Sequence, residues 1–475
     1  MFWEIEQIME QNRGLYDGAD SRFVSYPELL QKTLHWEEAL RSKRKLLVAL
    51  FCDNAVAGIA AYLAALRSGH AVMLVNASTD RSLKHRICEI YSPEIVISFG
   101  EKPDLPDGYD TAAGTADNAA LAFSRKPVSQ DIYPDTALLL STSGTTGSPK
   151  MIRLSYGNVQ SNAQNIAQYL EITDTETAIT SLPLSYSYGL SVVNSHLLAG
   201  ANLVCTNASL MTREFWGLFT GRQCTSFAGV PFSYAMLERL HLERMELPSL
   251  RTMTQAGGRL APEKVRLFSD LAERKGFRFF VMYGQTEATA RISYVPWQRH
   301  SEKIGSVGVP IPGGHLRLIL DGREISDPQI EGELVYSGPN VMLGYAETRD
   351  CLAKGDEFHG SLHTGDLGYR DADGYYYITG RLKRFIKIYG LRLNLDEIEK
   401  MLESAVGRPV ACAGKDESLQ VLVESDSEEH VTNAQRRIVS LYKLHHSSVH
   451  VRRVKALPLN ASGKKDYSAI GRAIE

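Results

Sequence analysis

Ser141-Thr142-Ser143-Gly144-Thr145-Thr146-Gly147-Ser148-Pro149-Lys150 is the stretch on which the reading of this chain turns. Ahead of it, Ala137-Leu138-Leu139-Leu140 is a short apolar run that predicts a buried strand. Behind it come Ser155-Tyr156-Gly157-Asn158, then Val159, Ala163, Ile166 and Leu170 at helical spacing. A loop dense in glycine and hydroxyl residues is thus expected between a strand and a helix. Glycines admit close approach of the backbone, and successive N–H groups with Ser and Thr hydroxyls can wrap a polyanion. Lys150 adds positive charge. The pattern points to a nucleoside triphosphate. A Ser/Gly-rich surface linker would share the composition. Against that, the run is tightly flanked by regular structure and ends in Pro149-Lys150 before the apolar Met151-Ile152. It is not a Walker loop, which needs Gly, four residues and then Gly-Lys-Ser/Thr.

The 475 residues exceed one compact domain and suggest roughly two to four. A formal net charge of -3 leaves no nucleic-acid footprint. Cys52, Cys88, Cys205, Cys224, Cys351 and Cys412 are scattered without a CxxC pair. Neither a zinc site nor a disulfide framework is therefore expected, and the thiols read as reduced. The acidic start Met1-Phe2-Trp3-Glu4-Ile5-Glu6 lacks a signal-peptide pattern. The longest apolar segment, 55–66, falls short of the roughly 20 residues a membrane helix needs. A cytoplasmic location is expected.

Working outward, Leu46 to Phe51, Ala71 to Val75 and Ile95 to Ile97 are continuous apolar runs, with the Ala-rich segment 55–67 between the first two. Strand, helix, strand argues for a parallel α/β sheet. His70 and His85 stand alone and read as structural. The alternation continues beyond 151. Ser181-Leu182-Pro183-Leu184-Ser185-Tyr186-Ser187-Tyr188-Gly189-Leu190 reads as a tyrosine-rich turn. Met253-Thr254-Gln255-Ala256-Gly257-Gly258 and Phe279 to Glu287 read as strands ending in small or polar residues. In open parallel sheets ligands gather at such strand ends. Residues 305–380 carry more Gly and Pro and shorter strands, which predicts a β-rich subdomain. A basic run, Arg381, Lys383, Arg384 and Lys387, reads by itself as a solvated charge patch. Asn394 with Glu397 three residues on predicts a helix start, with Ile398, Met401 and Leu402 as its buried face. The last ~90 residues read as a small α+β domain.

Taken together, these stretches resemble the adenylate-forming superfamily, which comprises acyl- and aryl-CoA synthetases, stand-alone adenylation enzymes and luciferases. The resemblance runs through five ordered elements over nearly the whole chain. It implies a large N-terminal AMP-binding domain over 1–382, built of two parallel-sheet α/β lobes plus the β-rich subdomain. A small mobile α+β C-terminal domain over 383–475 follows, hinged at Lys383. It implies that Thr142, Ser143, Gly144, Thr145, Thr146, Gly147 and Lys150 cradle the phosphates of ATP. Tyr283-Gly284-Gln285-Thr286-Glu287 is similar to the family's adenine- and magnesium-binding segment. Tyr283 would pack on adenine, Thr286 meet phosphate and Glu287 hold Mg2+, which prefers hard oxygen ligands. His363-Thr364-Gly365-Asp366 matches the element whose acid binds the ribose hydroxyls, with Arg381 beside it. Ser462-Gly463-Lys464 matches the element whose lysine bridges the carboxylate and the α-phosphate. A cation there offsets the repulsion between two anions. Lys465 is a rival by position.

The pocket for the acid is expected from Tyr186, Ser187, Tyr188, Ala256, Gly257 and Gly258. Ser187 stands where amino-acid-activating relatives carry Asp, which argues against an α-amino acid because a buried ammonium needs a charge partner. The paired glycines leave room for a flat ring or an alkyl chain. The implied activity is ATP-dependent activation of a carboxylic acid as acyl-adenylate, with transfer to coenzyme A. The basic run could meet coenzyme A phosphates. A separate acyl carrier protein bearing phosphopantetheine would serve the same thiol chemistry. An oxidative second step of the luciferase kind shares every motif. A non-catalytic nucleotide-binding relative would usually lose Lys464 or Glu287, and both are present.

Overall fold

The computed structural model describes all residues except 9, 100–104, 113–118, 127, 129, 142–149, 383, 389–390, 416, 443, 461–462 and 475. Among the described residues the chain forms two compact units. One takes in 1–141, 150–315 and 336–362, the other 316–335 and 363–474.

The first unit holds two sheets. One has eight strands in the order Gly344–Ala346, Met151–Ser155, Thr136–Ser141, Ala71–Asn76, Leu47–Cys52, Ile95–Phe99, Ala119–Ser124, Tyr109–Thr111. Thr136–Ser141, Ala71–Asn76, Leu47–Cys52 and Ile95–Phe99 are mutually parallel. Every residue of Leu47–Cys52 is buried, as a continuous apolar run requires of a strand covered on both faces. The helix Val56–Arg67 makes the crossover and buries its alanine-rich length. The other sheet has nine strands. Gly14–Asp17, Asn202–Cys205, Thr177–Ile179, Ser226–Gly229, Thr252–Gln255 and Arg278–Tyr283 run parallel within it. Gly229, Gln255 and Val281 are in register, so three strands end side by side.

Two expectations change here. Residues 142–149 were expected between a strand and a helix. Instead Met151–Ser155 is itself a strand, antiparallel to Thr136–Ser141 with Ser141 opposite Met151. Met151, Ile152, Arg153 and Leu154 are all buried, so the apolar pair after Lys150 belongs to the sheet. The helix Tyr156–Leu170 starts only after it. The Asn158 N–H donates to Ser155 Oγ at 2.9 Å and the Ser155 N–H to Asn158 Oδ1 at 2.8 Å, a reciprocal cap. The tyrosine-rich turn is also shorter than expected, because Ser187–Leu198 is a helix with Tyr186 at its N-cap. Gly189 is a packing position in that helix: a Cβ there would collide with the Pro183 carbonyl.

The second unit contains most of a five-stranded sheet, ordered Arg323–Ile325, His315–Leu320, Gly332–Ser337, Ser361–Arg370, Tyr376–Arg381. It also contains a three-stranded sheet of Val410–Lys415, Ser418–Glu424 and Val449–Val454. The helices Leu395–Val406 and Glu428–Tyr442 complete a core of Ile386, Ile398, Leu402, Val421 and Ile438. The β-rich stretch of 305–380 is shared out, since Gly344–Ala346 pairs with Met151–Ser155 in the first unit. The basic run is not uniformly solvated either. Arg384 is largely buried, bonded to Asp396, to Glu399 Oε1 at 2.7 Å and to the Cys412 carbonyl. Two carboxylates draw it inward. The side chains of Lys383 and Lys387 lie outside the described residues.

None of the six cysteines is in a disulfide; five are buried and Cys351 partly so. Among the described residues no helix is long and apolar enough to cross a membrane.

Candidate active site

Thr142, Ser143, Gly144, Thr145, Thr146 and Gly147 lie outside the described residues, as does Lys383. Lys150 leads into the return strand. Its ammonium sits 3.8 Å from the centre of the Tyr345 ring and 3.4 Å from the Glu347 carboxylate. The Tyr345 hydroxyl donates to Glu287 Oε1 at 3.0 Å. One tyrosine therefore carries a cation on its face and a carboxylate at its edge. Strand pairing sets it there, with Tyr345 opposite Ile152. Burial first, and the Glu287 charge second, push the phenol upward, which keeps it a neutral donor.

Glu287 stands in the single turn Thr286–Ala288 that follows the strand Arg278–Tyr283. Gly284 is required there, since a Cβ would collide with the Ala290 carbonyl. The Asn340 amide holds the turn by donating to the Ala288 and Arg291 carbonyls, each at 2.7 Å. The Met342 N–H donates to the Glu287 carbonyl at 2.9 Å. Gln285 Nε2 reaches the Tyr283 hydroxyl at 3.2 Å. Ser187 and Thr286 meet hydroxyl to hydroxyl at 3.1 Å, joining the tyrosine segment to the strand end. Among the described residues no three His, Cys, Asp or Glu cluster as a metal cage. A single carboxylate suits a hard cation that keeps its waters and shares substrate phosphates, the habit of magnesium.

On the acid side, Tyr188 is buried and its hydroxyl lies 2.8 Å from Thr254 Oγ1. The Arg291 guanidinium lies 4.1 Å from the Tyr188 ring centre. Ala256 is buried at the end of its strand. The room expected at the paired glycines is already filled. Gly257 has φ +81°, and a Cβ there would meet the Tyr186 hydroxyl at 2.6 Å and Val230 Cγ1 at 3.0 Å. One at Gly258 would meet the Pro231 ring at 3.1 Å. Gly257 is thus a seat for Tyr186 rather than open space.

In the second unit Asp366 and Arg381 face each other across paired strands, Arg381 Nε 3.0 Å from Asp366 Oδ1. Asp366 is buried and Arg381 exposed. Lys464 and Asn460 close their loop mutually: the Lys464 N–H donates to Asn460 Oδ1 at 3.0 Å and the Asn460 N–H to the Lys464 carbonyl at 2.8 Å. The rival Lys465 is committed elsewhere, its ammonium 2.9 Å from both Glu399 and Glu403.

Sequence reasoning missed Tyr345, Asn340 and Arg291. The first two follow Gly338-Pro339 in a stretch read only as β-rich. The available signal was the apolar run Val341-Met342-Leu343 beside them.

The family model described as AMP-binding enzyme matches residues 10–346. The chain is 32% identical over 304 residues to an oxalate–CoA ligase of Arabidopsis thaliana, spanning 63% of this chain and 58% of that protein. It is 30% identical over 415 residues to a 2-succinylbenzoate–CoA ligase of Bacillus velezensis, spanning 83% and 82%. The o-succinylbenzoate CoA synthetase of Bacillus subtilis has the same fold. Its complex with the acyl-adenylate intermediate superposes with TM-score 0.79 at 23% identity, covering 99% of this chain and 97% of that one. Its complex with ATP and magnesium gives 0.77 at 22%, covering 98% of each.

Proposed function

The chain belongs to the AMP-binding enzyme family, and from that premise we propose that it is an AMP-forming acid–CoA ligase. The supporting observation is the convergence of Lys150 and Glu287 on Tyr345, beside the residues that lead out of the nucleotide loop. In the first half-reaction a carboxylate oxygen attacks the α-phosphorus of ATP and pyrophosphate leaves. In the second a thiol of coenzyme A attacks the acyl carbon and AMP leaves. No protein nucleophile is required. Positioning and charge supply the rate.

The residues divide the work by their chemistry. Lys150, with the hydroxyl-rich residues 142–147, balances the β- and γ-phosphate charge. Magnesium, when bound, neutralises phosphate charge, and Glu287 is the carboxylate that would hold it, oriented by Tyr345. Thr286, fixed by Ser187, offers its hydroxyl to the α-phosphate. Tyr283, steadied by Gln285, stacks on adenine. Asp366 accepts from the ribose hydroxyls, with Arg381 alongside. Lys464 bridges the two anions as the new bond forms, and the commitment of Lys465 to Glu399 and Glu403 favours that assignment. Residues 383–475 act as a mobile domain that turns at Lys383 between the half-reactions.

The test is pyrophosphate release from ATP across a panel of carboxylic acids, with and without coenzyme A. Acid-dependent release that rises with coenzyme A is expected. Lys464→Ala should lower it by roughly 100- to 1,000-fold, the cost of one charge-stabilising donor. ATP affinity should stay largely intact, and Lys465→Met should act on stability instead. Undiminished release in Lys464→Ala sinks the assignment of that lysine. Release indifferent to coenzyme A but raised by a phosphopantetheinylated carrier protein turns the reading to carrier loading.

A further inference from the structure

Three arginines of the first unit are buried: Arg153, Arg291 and Arg349. Arg153 pairs with Glu357, and Arg349 with Glu94 at 2.8 Å. Arg291, 1% exposed, has no carboxylate partner among the described residues. Its Nε is unbonded and its Nη1 reaches only the Ala290 carbonyl, at 3.4 Å. The Tyr188 ring and the hydroxyls of Tyr169 and Tyr186 are among its other neighbours. A guanidinium cannot shed its charge, so burial without an anion leaves it uncompensated.

Arg291 also lines a cavity between the helices Tyr156–Leu170 and Ser187–Leu198 and the nine-stranded sheet. His196, Ser226 and Thr254 share its wall. The carboxylate on that wall, Glu176, is engaged by the Thr225 hydroxyl and faces Arg251 at 3.7 Å. The His196 Nδ1–H donates to the Val192 carbonyl at 2.8 Å and Nε2 lies near Ser226, while burial disfavours the charged imidazolium. Arg278, also on this wall, pairs with Glu171 at 2.8 Å, which leaves Arg291, among the described residues, as the charge on this wall without a carboxylate. Its guanidinium packs on the ring of Tyr188, the residue that follows Ser187 in the chain, and the Ser187 hydroxyl meets Thr286. The cavity encloses about 30 Å³, space for about two water molecules, which suits a compact polar group better than an alkyl tail.

We infer that Arg291 receives a second carboxylate of the acid substrate, so that the acids activated here are dicarboxylic. This rests on the acid-activating reading of the same site. The reacting carboxylate stays at the Ser187–Thr286 end, while the remote one takes the planar fork of the guanidinium, a geometry that matches it bidentately. Neutral and cationic tails lose twice, because they leave the arginine unpaired and offer it no acceptor.

Calorimetric titration of matched pairs tests this on the full chain: succinate against succinamate, glutarate against glutaramate, phthalate against phthalamate. At least one diacid is expected to bind roughly 10- to 100-fold more tightly than its half-amide, the worth of a charge-assisted pair over a neutral one. Arg291→Met should bring that ratio close to one. Arg291→Lys, which keeps the charge and loses the fork, should recover part of it. If no diacid binds better than its half-amide, or the preference survives in a folded Arg291→Met, the inference falls. Pyrophosphate release on the same acids judges the parent reading separately. Diacid binding without release overturns the ligase and leaves the role of Arg291. Release as fast with half-amides as with diacids overturns the role of Arg291 and leaves the ligase.

Discussion

Tyr345 serves two charges with one ring. Its face receives the Lys150 ammonium and its hydroxyl donates to Glu287. A carboxylate that holds a cation is oriented by such a donor, and removing the donor typically weakens metal binding by 10- to 100-fold. Tyr345→Phe keeps the ring and deletes the hydroxyl. It should raise the magnesium concentration for half-maximal pyrophosphate release by about 10-fold, with Lys150 undisturbed. An unchanged magnesium requirement would strip Tyr345 of this role. At this scale Glu287, Thr286 and Ser187 were legible because each lies in a short local motif. Tyr345 was not, because its meaning comes from a strand pairing between residues nearly two hundred positions apart. Arg291 was invisible for a related reason. In the sequence it is one more arginine after an Ala-rich turn, and only burial without a partner sets it apart.

At the scale of elements, the helix Leu395–Val406 anchors its surroundings through one buried carboxylate. Glu399 on it is buried and takes bonds from Arg384 at 2.7 Å, Lys465 at 2.9 Å, Tyr467 at 2.9 Å and the Cys412 N–H at 2.6 Å. Burial alone would push its carboxyl up. Arg384 and then Lys465 outweigh that and hold it below the usual value. A depressed folded-state value means the stabilisation is fully present above pH 4.5, the ordinary value, and is lost as pH falls through the folded one. Glu399→Gln removes the charge while two cations stay in place. It should cost about 3–5 kcal/mol, read as a lower urea midpoint at pH 7. That loss should shrink as the wild type is acidified below pH 4.5. A constant difference at all pH values would discard the linkage. Because Lys465 adjoins Lys464, this anchor also holds the loop that carries Lys464, the lysine proposed to bridge the two anions. The helix itself was legible from Ile398, Met401 and Leu402. The strand Met151–Ser155 was not, since five residues running straight into a helical pattern carry no period of their own.

Across the whole molecule, the parallel α/β character followed directly from apolar runs alternating with helical spacing, while the division into two lobes came with the family resemblance. The grouping of residues 316–335 with 363–474 did not, because no local pattern announces which stretches of chain pack together. The proposed turning point at Lys383 belongs to this scale. Lys383→Pro fixes φ and removes a backbone donor. It should leave acid-dependent pyrophosphate release within a few-fold of wild type while slowing thioester formation by roughly 100-fold or more, an order set by loss of alignment. If both half-reactions survive, turning there is not needed. The thiol inventory has a practical side. Burial pushes the thiols of Cys52, Cys205, Cys224 and Cys412 up and keeps them unreactive. At Cys351 burial acts the same way, but backbone hydrogen bonds at Glu347 and Thr348 outweigh it and lower the thiol. Glu347 is also the carboxylate beside Lys150. A maleimide fluorophore should therefore tag one position of the native chain, close in sequence to Glu347, the carboxylate beside Lys150, which is proposed to meet the nucleotide. Its emission would report ATP arrival in real time, without an engineered label.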